Sequence, residues 1–408
     1  MSEMVRLGEL ISTKKGYAFK SKWFSESGIP VVKATNFTDN SIDVSSLQSV
    51  SEDIAKQYED WKLRTNHVVV QTVGSWPSSA ASVVGKCIRV PEEANGALLN
   101  QNTVILNCSN ELDENYLYYS LRDKRFGVFI ENRARGSANQ ASITLADIRD
   151  FTIYSYELTH QARIGRALRL YDDLIENNKR RIELLEESAR QLYKEWFVRF
   201  RFPGHEHVKI VDGVPEGWKS GVISDFYRTS SGGTPSRKID EFYTGDINWV
   251  KTQELTNSFI FETAEKITEE AIKKSSAKLF PEETVLVAMY GATIGQLGIL
   301  AKESASNQAC CALIPNTDLS HYIHAYLFLL ENKYGLIGRS KGAAQNNISQ
   351  DIVKNYDMMM PPESLMKQFV DFSNPIFDQI KGLSLAIAKL TSARDILLPK
   401  LMSGEITV

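Results

Sequence analysis

The chain is poor in cysteine, with only Cys87, Cys108, Cys310 and Cys311 among its 408 residues. So few, each among apolar neighbours, argue against a disulfide scaffold and for reduced, buried thiols in a cytoplasmic protein. Long apolar runs are also missing, none approaching the ~18 residues of a membrane span. The opening MSEMVRLGEL lacks the basic-then-apolar pattern of a signal peptide. Nor does one sign of charge dominate. Lys and Arg number 47 against 50 Asp and Glu, for a net charge of -3, so any nucleic-acid binding has to come from local patches. Hydrophobic content of 43% and charged content of 24% are ordinary for a globular protein, and the length suits two or more domains.

Catalytic motifs are missing too. No glycine is followed at phosphate-loop spacing by Gly-Lys-Ser/Thr. Gly291, Gly295 and Gly298 superficially suggest such a loop, but VLVAMYGATIGQLGIL reads as two strands joined by a turn. A DNA amino-methyltransferase needs a polar residue, two prolines and an aromatic to grip a flipped base. Met359-Met360-Pro361-Pro362-Glu363 has the prolines without the flanks, and reads as a strand end followed by a helix start. Cys310-Cys311 with His321 and His324 lack the spacer that zinc ligands use. His205 and His207 fall in a loop, and no Ser-His-Asp or paired-carboxylate arrangement stands out. The chain reads as a non-enzyme that binds no cofactor or metal itself.

What is present is a periodicity. From Gln161 to Arg201, Ile164, Leu168, Tyr171, Ile175, Asn178, Ile182, Leu185, Ala189, Leu192 and Trp196 recur at alternating separations of four and three. All but Asn178 are apolar or aromatic, which makes a coiled-coil seam with one polar position able to fix register. A helix of ~35 residues is ~50 Å long, and its stripe needs a partner. Leu365 to Met402 supplies one, with Phe369, Phe372, Ile376, Ile380, Leu383, Ile387, Leu390, Leu397 and Leu401 at the same spacing. A domain-sized segment precedes each helix. The fold expected is α+β: two mixed globules separated by two long helices that pair with one another as a coiled coil. The segments are 1–157, 158–202, 203–362 and 363–408.

The two globules repeat one order of elements. IPVVKATNF matches INWVKTQEL, HVVVQTVGSW matches TVLVAMYGATIG, and LLNQNTVIL matches SNQACCALI. The stretch from Tyr116 to Ile130 reads as an amphipathic helix and matches Tyr322 to Ile337; RGSANQASI matches KGAAQNNIS, and FTIYSY matches YDMMMPP. A period of ~200 residues is a tandem duplication, not a solenoid. Phe202 to Trp218 reads as the loop between copies.

Candidate nucleic-acid contacts sit at matching points of the copies. Lys14, Lys15, Tyr17, Lys20 and Lys22 cluster in the first, and SSGGTPSRK, with Thr234, Ser236, Arg237 and Lys238, stands at the equivalent place in the second. Hydroxyls and cations suit phosphates, and arginine can read guanine. Asn139-Gln140 and Gln345-Asn346-Asn347 bring adenine-type amides into small-residue loops, flanked by Arg133, Arg135, Arg339 and Lys341. Lys33, Ser75 and Trp76 of the first copy and Lys251 and Tyr290 of the second complete the set. Taken singly, each cluster is more often a solvated loop than a DNA contact; their recurrence at corresponding points of the two copies raises the odds of contact.

NNKRRIELLEESARQLYKEWFVRFRFPG, LTSARDILLPKLMSGEI, VPEGW, SGGTPSRK and KGAAQNNIS together resemble the specificity subunits of type I restriction-modification enzymes, over the whole chain. The first globule departs in having STKKGYAFKSK for GGTPSRK, and FTIYSYEL where a proline-rich strand end is usual. The resemblance implies two target recognition domains with pseudo-twofold symmetry, each reading half of a bipartite double-stranded DNA site. Half-sites about one turn (~34 Å) apart would let both lie on one side of the duplex. The helices would pack as an antiparallel coiled coil that sets the gap and, with the domains, docks two modification subunits that carry S-adenosylmethionine and methylate adenine. Restriction subunits would bring ATP, Mg2+, translocation and cleavage. Two other readings stay open: a non-catalytic coiled-coil scaffold that recruits proteins, and, against the missing motifs, a self-contained methyltransferase.

Overall fold

The structure, a computed structural model, describes residues 3–76, 83–137, 140–317, 319–339 and 347–408. The chain divides into two compact units, one made of Met1–Leu174 with Leu390–Val408, the other of Ile175–Lys389. Both mix helices and short strands.

The first unit is built on an antiparallel sheet in the order Ile11–Lys15, Thr103–Cys108, Val68–Gln71, Cys87–Arg89. Successive side chains of a strand point to opposite faces, and this sheet is covered on both. Val68, Val70, Val104 and Leu106 join a core with Tyr116, Leu117 and Phe126 of two short helices. Val69, Ile88 and Ile105 enter a second core with Val32 and Leu99 of a smaller sheet. The second unit repeats the plan around a five-stranded sheet, Tyr227–Ser231, Cys310–Pro315, Val285–Ala288, Leu297–Leu300, Ser258–Ile260. Val285, Val287, Cys311 and Leu313 face a helical core, while Leu286, Ala288, Cys310 and Ala312 face the other. The adjacent cysteines thus lie in different cores. Each fully buried Val or Leu contributes about 1.5–3 kcal/mol.

The pairing of strands bears out the repeat. Ile29–Val32 pairs in parallel with Leu98–Leu99, and Ile247–Val250 pairs in parallel with Ser304–Ser306. Met4–Arg6 lies antiparallel to Thr152–Tyr154, as Lys219–Val222 does to Asp357–Met360. The amphipathic stretches are each two helices instead of one. Glu114–Arg122 and Lys124–Arg133 break at Asp123, an extended residue whose carboxylate accepts from the Arg125 N–H at 2.8 Å. Tyr322–Glu331 and Lys333–Gly338 break at Asn332. An Asp that caps a new turn wins over the apolar periodicity. The loop between copies also has structure: Ile210–Val211 and Val214–Pro215 form a hairpin. Its turn, Asp212-Gly213, has φ of 51° and 81°, the left-handed pair such turns require.

The long helices are Leu158–Tyr193, of 36 residues, and Glu363–Ser403, of 41. In the second unit the late part of the first helix meets the early part of the second, with Trp196 and Phe369 rings 5.7 Å apart. In the first unit the early part meets the late part, through Asp172 and Arg394. The helices are therefore antiparallel. Ile164, Leu168, Ile175, Ala189 and Trp196 are buried, while Tyr171, Asn178, Ile182, Leu185 and Leu192 are half-buried. On the second helix Phe369, Ile380 and Leu401 are buried, and Ile376, Leu383, Ile387, Leu390 and Leu397 are half-buried. Phe372 departs from the expected seam: it is 59% exposed, and Ser373 and Phe377 are buried in its stead. The buried face turns toward the rings of Phe259, Tyr322 and Tyr326, which surround Phe377. Ser373, its hydroxyl given to the Phe369 carbonyl at 2.8 Å, allows close approach. Beyond Tyr193 a π-helical turn, Lys194–Val198, turns both Trp196 and Phe197 inward.

Candidate nucleic-acid interface

Topology brings the candidate stretches to one end of each main sheet. Ile11–Lys15 and Val68–Gln71 both run antiparallel to Thr103–Cys108, with Lys15 opposite Val104 and Gln71 opposite Thr103. The segments that follow them, Gly16-Tyr17 and Val73 to Trp76, therefore emerge together. In the second unit Ser231 lies opposite Cys311 and Ala288 opposite Cys310, so GGTPSRK and Met289-Tyr290 emerge together as well. The amide loops end there too: the Ile143 N–H donates to the Thr72 carbonyl at 2.9 Å, and Ile348 to Met289 at 2.8 Å.

Close packing at this end explains the glycines. The Gly16 N–H donates to the Thr103 carbonyl and the Gly232 N–H to the Cys310 carbonyl. A Cβ on Gly16 would lie 1.8 Å from the Asn100 oxygen, and one on Gly232 would lie 2.3 Å from the Asn307 oxygen. STKKGYAFKSK and SGGTPSRK therefore superimpose in role at Gly16 and Gly232, with Tyr17 in place of Gly233.

The first unit dresses this end with rings and lysines. Tyr17 packs among Phe19, Tyr58 and Trp61 at centroid distances of 5.1, 4.3 and 5.1 Å. The Trp61 indole N–H donates to the Lys15 carbonyl at 2.9 Å. Lys14 Nζ stands 4.3 Å over Trp61, Lys20 Nζ 5.2 Å over Trp23, and Lys33 Nζ 4.0 Å over Phe24. Lys15 is exposed. Ser75 pairs with Val83, and Trp76 donates its indole N–H to the Ser137 carbonyl at 2.9 Å. Arg135 and Gln140, both exposed, sit on a hairpin that extends Val73–Gly74. Asn139 lies outside the described residues.

In the second unit, Thr234 hydrogen-bonds Gln308, and the Ser236 hydroxyl accepts from the Lys238 N–H at 3.4 Å. Arg237 lies 4.2 Å over Tyr243 and 5.1 Å over Trp249, and pairs with Glu265 at 2.6 Å. Lys251 reaches the same carboxylate at 2.7 Å. Tyr290 and Lys238 are exposed. Arg339 is drawn instead to Asp357, beside the Tyr356 ring. Lys341, Gln345 and Asn346 lie outside the described residues. Among the described residues no cluster of His, Cys, Asp or Glu could hold a metal ion, and no helix is long and apolar enough to cross a membrane.

Sequence reasoning passed over Gln48, Trp61 and Glu265, which hold the lysines and arginine in place. They lie ~15–45 residues from their partners in an ordinary alternating context, with no motif to mark them. It also missed Asp172, which accepts from Arg394 at 2.6 Å and from the Tyr119 hydroxyl at 2.6 Å, both beneath the surface. Cations held over aromatic faces, with hydroxyls and amides beside them, suit a surface that meets phosphates and base edges.

A model of the type I restriction modification DNA specificity domain matches residues 1–187 and again 215–383. The MjaIX specificity subunit, a type I restriction enzyme subunit of Methanocaldococcus jannaschii, is 27% identical over 309 residues, spanning 72% of this chain and 69% of the relative. The HindI specificity subunit of Haemophilus influenzae is 29% identical over 197 residues, 47% of this chain and 42% of its own length. The crystal structure of the S subunit of a type I restriction-modification system from M. genitalium shares the fold, with a TM-score of 0.62 at 16% identity over 98% of this chain and 96% of that one. Matched twice and over most of its length, the chain belongs to the type I restriction-modification DNA specificity family.

Proposed function

We propose that this specificity subunit reads a bipartite, gapped DNA site, one half with each unit, through the sheet ends that carry the lysine, arginine and aromatic side chains. The observation that carries the reading is their recurrence: two copies of one framework present cations over rings at the same sheet end, with different residues around them. A framework kept while its decoration diverges is what two readers of different half-sites require. The candidate contacts Lys14, Lys15, Tyr17, Lys20, Lys33, Ser75, Trp76, Arg135 and Gln140 belong to one half, and Thr234, Ser236, Arg237, Lys238, Lys251 and Tyr290 to the other.

The long helices serve as the spacer and, with the units, as the dock for two modification subunits. A groove of about 850 Å³ between Ile182, Glu186, Ile387 and the strand Ser258–Ile260 offers one such partner a half-apolar seat. Methyl transfer from S-adenosylmethionine, and ATP- and Mg2+-dependent translocation and cleavage, belong to the modification and restriction subunits. This chain supplies the address.

The test is methylated-base mapping of DNA from cells that express the chain with its modification subunit. A gapped motif with one methyladenine in each half is expected. A stable complex with no motif would instead favour the protein-recruiting scaffold.

A further inference from the structure

The two units hold one lysine at one place and answer it with different acceptors. Lys33 and Lys251 each follow a strand, Ile29–Val32 and Ile247–Val250, and each begins a single 3-10 turn, Ala34–Asn36 and Thr252–Glu254. Their backbones agree closely, at φ -110°, ψ 160° and φ -106°, ψ 157°. Each N–H donates to the side chain three residues on, Asn36 at 2.9 Å and Glu254 at 2.8 Å. The neighbouring antiparallel segment supplies the acceptor for the ammonium, from the first residue of the strand Gln48–Val50 in one unit and from the residue just before the strand Lys266–Ile267 in the other. Gln48, opposite Val31, takes Lys33 Nζ at 2.6 Å. Glu265, whose carbonyl accepts the Trp249 N–H at 3.2 Å, takes Lys251 Nζ at 2.7 Å. Val31 and Trp249 are the third residues of their strands, so Gln48 and Glu265 occupy equivalent positions.

The difference between them is charge. An amide oxygen satisfies Lys33 without cancelling it. The carboxylate of Glu265 balances Lys251 and also Arg237, whose guanidinium lies against Tyr243 and Trp249. Arg237 first and Lys251 second hold the Glu265 carboxyl below the usual carboxylate range, so it stays ionised. Solvent reaches all three side chains, at 55% for Arg237, 31% for Glu265 and 25% for Lys251. Phosphates repel a carboxylate on a DNA-facing surface. The DNA groups that favour it are the amino groups of cytosine and adenine, and arginine's fork matches guanine O6 and N7.

We propose that Glu265 is a specificity-determining residue of the second unit, accepting from cytosine N4 while Arg237 donates to the guanine of the same base pair, and that Gln48, at the matching place, frees the first unit from that requirement. The inference rests on the DNA-reading assignment above. Lys251 positions the carboxylate; Tyr243 and Trp249 hold the guanidinium plane.

The experiment compares wild type, Glu265→Gln and Gln48→Glu, each assembled with its modification subunits, by mapping methylated motifs and by competition binding at fixed salt. Glu265→Gln is expected to relax one G·C position of one half-site by about tenfold or more, leaving the other half-site as it was. Gln48→Glu should alter only the opposite half. An unchanged motif from a folded Glu265→Gln complex, or a change in both halves, would overturn the proposal and leave the DNA-reading intact. A wild-type complex without sequence preference would overturn the DNA-reading itself. Arg237→Lys, which keeps the charge and loses the fork, gives a second route if Glu265→Gln does not assemble: it should relax the same position, and an unchanged motif there would sink the idea equally.

Discussion

Neither Gly16 nor Gly232 takes the left-handed backbone that favours glycine, so their need for it comes from neighbours. At Gly16 an added methyl meets a backbone oxygen, which cannot rotate away as a side chain can. Gly16→Ala or Gly232→Ala should cost about 3 kcal/mol, the upper range for overpacking, measured by urea unfolding. Residue identity alone did not announce this; glycine before a basic stretch looks the same in a loose loop. His324 gives a second residue-level expectation. Burial, and then nearby His321, hold its pKa down to about 3, while its Nδ1 sits 3.0 Å from the Tyr227 hydroxyl. A histidine that is neutral when folded and takes a proton when unfolded contributes stability above pH 6.5. That contribution fades as pH falls toward 3. At pH 4.5 the loss from this group is about 2–3 kcal/mol, with His321 and His67 (each at about 4) adding to it. His324→Gln should flatten the decline between pH 6.5 and 4.5 in thermal melts; an equally steep decline would refute the assignment.

At the scale of elements, the long helices do more than face one another. Leu398, Leu401 and Met402 of the second helix enter the core that holds Ile164, Leu168 and Tyr116. The Tyr156 hydroxyl donates to the Met402 carbonyl at 3.1 Å. Asp172 and Arg394 join the same contact, with side chains only 3% and 12% exposed. Removing one partner of a buried pair leaves a charge without compensation, so Arg394→Ala should cost about 3–5 kcal/mol, read from chemical unfolding. Replacing both with apolar residues should cost far less. The stripes along these helices were plain in the sequence, because a period near 3.5 survives any tertiary detail. Which part of each helix belongs to which unit was not plain, since the same leucines suit a coiled coil or a domain core. Phe372 shows the limit: its spacing fits the seam, but the aromatic core turns the helix so that Ser373 faces in. The first pair of short helices broke at Asp123 for a local reason that periodicity does not register, its carboxylate capping the second helix; at the matching break Asn332 makes no such cap and gives its side-chain amide to the Phe328 carbonyl instead. The strand-end clusters were legible as stretches, from composition and recurrence; Glu265 and Gln48 were not, because cross-strand register joined them to their lysines.

At the scale of the whole molecule, the proposed spacer role of the long helices makes the gap and the half-sites vary independently. One heptad inserted into both long helices should lengthen the gap of the recognised site and leave both half-site sequences as they were. Methylome mapping reads both at once; loss of half-site preference in a folded variant would contradict the spacer role. The division of the chain bears on something else. The second unit is contiguous from Ile175 to Lys389, whereas the first is closed by Leu390–Val408, which follow the whole of the second unit along the chain. On the ribosome, then, the unit begun second is the one that can finish first. The earlier half must wait, with Ile164 and Leu168 uncovered, until the final turn of helix arrives, and chains stalled before Leu398 should be the ones that chaperones hold and proteases clear.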